Sequence, residues 1–265
     1  MRVHRDIDRR AVFFGMLGGM LATMPAAGAA PMPAPLVMID PGHGGKDPGT
    51  TGPDGVHEKT ITLLVGLDLR QALLASGKFR VAMTRMRDVF VSLADRVAMA
   101  ERAQADAFVS LHCNHLPDPA LRGALVFTLS RHPSDALAAA IARTENSYDH
   151  GPLLPRFRGV TPQVGSILGR LELHATERAA RNLAHDIVTA MRGDILLLPD
   201  PRRSADFAVL RDPVVPSTLI EMGCLSNFQD EALLQTLAYR KLMASRIAGG
   251  FEVYFSSPNP ERVAG

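Results

Sequence analysis

Four side chains could together do chemistry that none of them could do alone: His43, Glu58, His112 and Glu221. His43 stands in "MIDPGHGGKDPGT", among glycines that reach backbone angles closed to other residues and let a ligand come close. Glu58 lies in "GVHEKT", His112 closes "AFVSLH", and Glu221 lies in "PSTLIEMG". Two imidazoles and one carboxylate, with a fourth position left for water, are a ligand set suited to a catalytic Zn2+. The remaining carboxylate is then free to handle protons. Spacing and strand ends alone support this grouping.

The elements that must position these residues follow from the apolar pattern. Leu36–Ile39 is a short apolar run ending at Pro41-Gly42, as a buried central strand would. Thr60–Leu74 predicts a helix, with Ile61, Leu64, Leu67 or Leu69, and Leu73 at helical spacing. Phe79–Thr84, "AFVSLH" and "GALVFTL" (Gly123–Leu129) read as further strands, and Ser92 with Asp95 forms a capping box before another helix. Strands alternating with helices predict a single α/β domain, with a twisted, mostly parallel sheet flanked by helices. Ligands of such sheets gather beyond the carboxyl ends of the strands, where three of the four residues fall.

From Arg131 to Ser204 the rhythm changes: helical stretches predominate and no strand is predicted, so 131–204 reads as a helical insertion. Strands resume at "FAVL" (Phe207–Leu210) and Pro216–Gly223. Asn227 caps a last helical region that should turn Leu233, Leu237, Leu242 and Ile247 to the core.

The other histidines fit the centre less well. His115 is an odd number of positions from His112, which on a strand places it on the opposite face. His57 directly precedes Glu58 and reads as an exposed loop residue. His4 belongs to the leader described next, and His132, His150, His174 and His185 lie in or beside the insertion. No H-E-x-x-H helix is present.

The first 29 residues have a basic start, an apolar run from Ala11 to Met24 and small residues near Ala29, the layout of a secretory signal. Arg9-Arg10 followed by Val12-Phe13-Phe14 resembles a twin-arginine export signal. Residues 30–265 are then the exported domain. Export predicts a periplasmic protein, and the absence of a second long apolar run predicts no stable membrane anchor. Removing the leader brings the formal charge of +2 to zero, which leaves no basic footprint for nucleic acid. About 235 residues remain, enough for one domain with a substantial core. Cys113 and Cys224 are the only cysteines, expected as free, buried thiols. No phosphate loop, nucleotide fingerprint or serine elbow points to another reaction.

"IDPGHGGKDPG", "GVHEKTITL", "VSLHCNH" and "PSTLIEMGCLSN" resemble, in order, the four signature segments of the zinc-dependent N-acetylmuramoyl-L-alanine amidases typified by the bacterial cell-division amidases. The resemblance spans essentially the whole mature chain. It implies that His43, Glu58 and His112 bind Zn2+ and that Glu221 is the catalytic carboxylate. The substrate implied is the peptidoglycan amide bond between N-acetylmuramic acid and L-alanine of the stem peptide. In these division amidases a helical insertion covers the active site, and "IARTENSYDHG" resembles that blocking element, with Glu145 the acid expected to fill the open zinc position. The partner implied is a periplasmic activator with a degenerate zinc-peptidase-like domain. Many relatives carry an extra N-terminal targeting domain, for which this chain has no room. Two rival readings are a catalytically inactive peptidoglycan-binding protein of the same fold and a zinc peptidase acting within the stem peptide.

Overall fold

A computed structural model describes residues 33–148, 162–212 and 214–257; the expected leader and His150 lie outside the described residues. Six strands make one sheet: β1 (Leu36–Pro41), β2 (Arg80–Met83), β3 (Ala107–Asn114), β4 (Ala124–Leu129), β5 (Leu197–Ala205) and β6 (Ser217–Cys224). Their order is β2-β1-β3-β6-β4-β5, and every neighbouring pair is parallel except β4 with β6. The helices are α1 (Glu58–Ala75), α2 (Leu93–Ala103), α3 (Ala136–Asn146), α4 (Pro162–Met191), α5 (Phe228–Gln235) and α6 (Leu237–Ser256). The chain is thus α/β with a mostly parallel sheet.

Strand alternation divides the interior into two cores. Val37 and Ile39 of β1 face one, with Ile61 and Leu69 of α1, Leu183 and Ile187 of α4, and Ile247 and Phe251 of α6. Met38 faces the other, with Phe108, Leu219, Ala100 of α2 and Ile141 of α3. Each fully buried aliphatic or Phe side chain contributes about 1.5–3 kcal/mol, so both layers hold the sheet firmly. Local signals set the helix starts. Ser92 Oγ accepts from the Asp95 N–H, as the capping box predicted, and Asn227 caps α5.

Several expectations are corrected. The stretch 131–204 is not wholly helical, because its end is β5, paired in parallel with β4. Pro199, Pro201 and three charged residues hid this strand, and an edge position tolerates them. The C-terminal half of α4 is also part of the main core, with Leu183, Ile187, Val188 and Met191 buried. "FAVL" is no strand: Ala208–Leu210 is a 3-10 turn whose apolar side chains plug the second core. Leu233 and Leu237 are exposed and Leu234 is buried instead, because Thr236 ends α5, caps α6 and breaks the helical phase. In α1 the buried stripe is Ile61, Val65, Leu69 and Leu73, at strict i, i+4 spacing, and Leu64 faces outward.

Candidate metal centre

His43 lies two residues beyond the end of β1, and its own backbone is left-handed, at φ 61°. Such an angle costs a non-glycine residue of order 1–3 kcal/mol and persists only where the surroundings enforce it. Two buried arginines do so. Arg96 of α2 donates to the carbonyls of Pro41 (2.7 Å) and His43 (2.8 Å), and to Asp40 (2.6 Å). Arg85 donates to the carbonyls of Pro41 (2.9 Å) and Gly42 (2.7 Å). Burial alone would raise the Asp40 pKa, but Arg96, Thr84 and Ser110 outweigh it and hold the carboxyl below its usual range.

Glu58 is the first residue of α1. Its Oε2 accepts from the Thr50 N–H (2.9 Å) and its Oε1 from the Cys113 N–H (2.8 Å), which fixes the carboxylate between the loop at Thr50 and strand β3. His112 lies on β3, with its ring packed over Gly42. A Cβ at Gly42 would come within 2.5 Å of that ring, so only glycine fits there. Gly49, at φ +67°, is required likewise, since a Cβ would sit 2.6 Å from Glu58 Oε2 and the His43 ring.

These elements bring His43, Glu58 and His112 together. His43 Nε2 is 3.0 Å from Glu58 Oε2, and His112 Nδ1 is 3.1 Å from Glu58 Oε1. Glu145, in the last turn of α3, joins them: its Oε2 is 2.9 Å from His112 Nδ1 and 3.4 Å from His43 Nε2. One ligand atom from each of the four lies within 4.8 Å of the others. His43 Nε2 and Glu145 Oε2 are buried without a hydrogen-bond partner, although they stand this close to neighbours. Atoms that converge without hydrogen-bond geometry are aimed at a shared point between them. Zinc–ligand bonds of about 2.0–2.2 Å in a tetrahedron place donors at about this separation, so the residues fit the ion.

Glu221 stands directly opposite His112 in the register of β3 and β6. It is fully buried and neither carboxylate oxygen has a hydrogen-bond partner. Burial, then the nearby Glu145 carboxylate, push its pKa well above the usual value. A cation in the cluster would act in the opposite sense.

Among the described residues, the remaining histidines are not in the cluster. His115 is exposed, with Nδ1 2.9 Å from Thr50 Oγ1, and His57 is exposed beside Thr51. His132, His174 and His185 are exposed as well. Cys113 and Cys224 are free and buried, as expected.

Several contributors are not evident from spacing alone. Asp47 Oδ2 is 2.8 Å from His43 Nδ1, and Tyr148 lies edge-on to the His43 ring at 4.7 Å between centroids. Asn146 pins the end of α3 by donating to the Asp206 carbonyl (2.7 Å) and accepting from the Ala208 N–H (2.8 Å). The i, i+4 spacing in "HGGKD" was a signal for Asp47; nothing local pointed to Asn146 or Arg96.

In the metal-free cluster, burial opposes the charged form of His112, but Glu145 and Glu58 outweigh it and raise the pKa from 6.5 to about 10. Such a group adds stability that is whole below its unfolded pKa and is lost as pH rises through its folded one. The Glu145 pKa is lowered, burial being outweighed by His112, so its share is present above 4.5 and lost in acid. Thermal unfolding of the parent and Glu145→Gln in chelator should therefore differ most between about pH 4.5 and 6.5, and the gap should narrow towards pH 10. A gap that widens above pH 6.5 would contradict this pairing.

The fold and the donor set define an α/β protein with a metal-capable centre at the carboxyl ends of its strands. The family model described as N-acetylmuramoyl-L-alanine amidase matches residues 37–253, and the chain belongs to that family. It is 36% identical over 225 residues to the N-acetylmuramoyl-L-alanine amidase AmiC of Neisseria meningitidis, covering 84% of this chain and 53% of that protein. It is 35% identical over 223 residues to AmiA of Salmonella typhimurium, covering 83% and 76%. The chain thus spans about half the length of the first relative and three quarters of the second. The solved amidase AmiC2 of Nostoc punctiforme superposes with a TM-score of 0.60 at 29% identity, covering 85% of this chain and 99% of that one.

Proposed function

We propose that this protein is a periplasmic zinc hydrolase that cleaves the amide bond between N-acetylmuramic acid and the L-alanine of the stem peptide in peptidoglycan. The observation that carries this reading is the convergence of His43, Glu58 and His112 beside Glu221, in a chain belonging to the amidase family. His43 Nε2, His112 Nδ1 and Glu58 would hold the ion. When bound, zinc would polarise the scissile carbonyl and acidify the attacking water. Glu221 accepts the proton of that water and delivers it to the leaving nitrogen, the general-base and general-acid halves of one transfer. Its burial, with no competing hydrogen bond, leaves both oxygens available for this work. The two arginines behind His43 keep the site's backbone rigid while the proton moves.

Export through a twin-arginine-like signal over residues 1–29 agrees with such a substrate, and no helix among the described residues is long and apolar enough to cross a membrane. The proposed role is daughter-cell separation and wall remodelling. Hydrolysis of purified sacculi should stop on chelation and return with added zinc; chelator-resistant hydrolysis would overturn the metal reading.

The same reading makes Glu145 a plug. A carboxylate that reaches the position water needs closes a catalytic zinc site, and Glu145 Oε2 stands between both imidazoles. An activator, proposed to be a periplasmic protein with a degenerate zinc-peptidase-like domain, must bind the open state better than the closed one to shift the balance. Glu145→Ala should raise basal release of dye from labelled sacculi at matched zinc content. A variant no faster than a parent that is already fully active would show that Glu145 is not the plug.

A further inference from the structure

We infer that Asp47 is the positioning residue that selects which nitrogen of His43 faces the metal. This inference rests on the metal reading of the cluster and names a part of it that the ligand set does not include. His43 presents Nε2 to Glu58 and Glu145, and its other nitrogen, Nδ1, points away from the cluster to Asp47 Oδ2 at 2.8 Å. A neutral imidazole carries one proton, and the nitrogen that carries it cannot bind a metal. An acceptor at Nδ1 therefore keeps the proton there and leaves the Nε2 lone pair free.

The carboxylate of Asp47 is fully used in doing this. Oδ1 accepts from the Gly49 N–H at 3.0 Å while Oδ2 faces His43, so both neighbours are donors. Asp47 itself sits in a closely packed loop: a Cβ at Gly45 would come within 2.6 Å of the Phe90 backbone nitrogen, and Lys59 Nζ donates to the Gly45 carbonyl at 2.8 Å. Among the described residues, the carboxylates within ion-pair distance of His112 stand at Nδ1, on the cluster side, and its ring is packed over Gly42. Selection of the ring nitrogen thus falls on the His43 side of the centre.

Asparagine in place of Asp47 makes a sharp test, because it is nearly isosteric but has one acceptor for two donors. If its oxygen stays with Gly49, its NH2 faces Nδ1 and drives the ring proton to Nε2, the nitrogen the metal needs. Alanine removes the acceptor without imposing the wrong tautomer. Zinc affinity of the full chain should be measured by competition with a chromophoric chelator, alongside thermal unfolding of the metal-free forms. Asp47→Ala should bind zinc about 10–100-fold more weakly, and Asp47→Asn at least as weakly as Asp47→Ala. Asp47→Asn near the parent with Asp47→Ala impaired would mean a shape-filling role and overturn the inference, as would parental affinity in both. His43→Ala is the control: unchanged zinc binding there would overturn the metal reading itself, and this inference with it. Should the Asp47 variants fail to fold, nitrogen NMR of the zinc-loaded parent decides. A proton on His43 Nδ1 supports the assignment and a proton on Nε2 refutes it.

Discussion

Glu221→Gln is expected to retain zinc and the fold while losing about 10²–10⁴-fold in turnover, the usual weight of general-base catalysis. The amide fills the same space opposite His112 but cannot take a proton from water. Retained metal follows from the geometry, since the four gathered donors are His43, Glu58, His112 and Glu145, without Glu221. Retained stability follows from the electrostatics. Burial, then Glu145, already penalise the Glu221 carboxylate, so a neutral side chain there relieves a cost. Metal content and unfolding temperature should match the parent while hydrolysis of sacculi falls. Loss of zinc in Glu221→Gln would make Glu221 a ligand and overturn the division of roles.

His112→Ala is expected to abolish both stoichiometric zinc and hydrolysis. It leaves His43 and Glu58 as the protein's open-site ligands, and two ligands hold zinc poorly where catalytic sites use three. Glu145 can complete only the closed, water-free site, and no other described neighbour can substitute. Glu58 is tied to the Thr50 and Cys113 N–H groups, and His115 is exposed beside Thr50. Removal also empties the space over Gly42 that the ring fills. Metal analysis of the purified variant with a sacculus assay checks this, and full activity would refute the metal assignment.

The site was more legible in the sequence than parts of the fold. His43, Glu58 and His112 could be grouped because each borders an apolar run whose strand or helix fixes where its end lies. Glu221 could be paired with them because parallel strands deliver their ends to one edge. β5 was not legible because an edge strand needs neither alternating apolar residues nor freedom from proline. Phe207–Leu210 misled because burial, not strand geometry, selects its apolar side chains. Leu233 and Leu237 misled because one capping threonine splits the last helical region in two and resets the phase. Arg96 shows the remaining gap. Its role depends on reaching from α2 to the carbonyl of His43, 53 residues away, and no local pattern encodes that contact.

The reading of this chain as an amidase meets its most direct test in the fragments it releases. Purified sacculi should be digested with the zinc-loaded protein, using Glu145→Ala if the parent is slow, and the soluble products and residual glycan analysed by mass. Free, intact stem peptides that begin with L-alanine, and glycan strands whose muramic acid is bare, are the expected products. Shortened stems still attached to muramic acid would show a peptidase instead, and sacculi bound but uncut by the zinc-loaded protein would show a binding module.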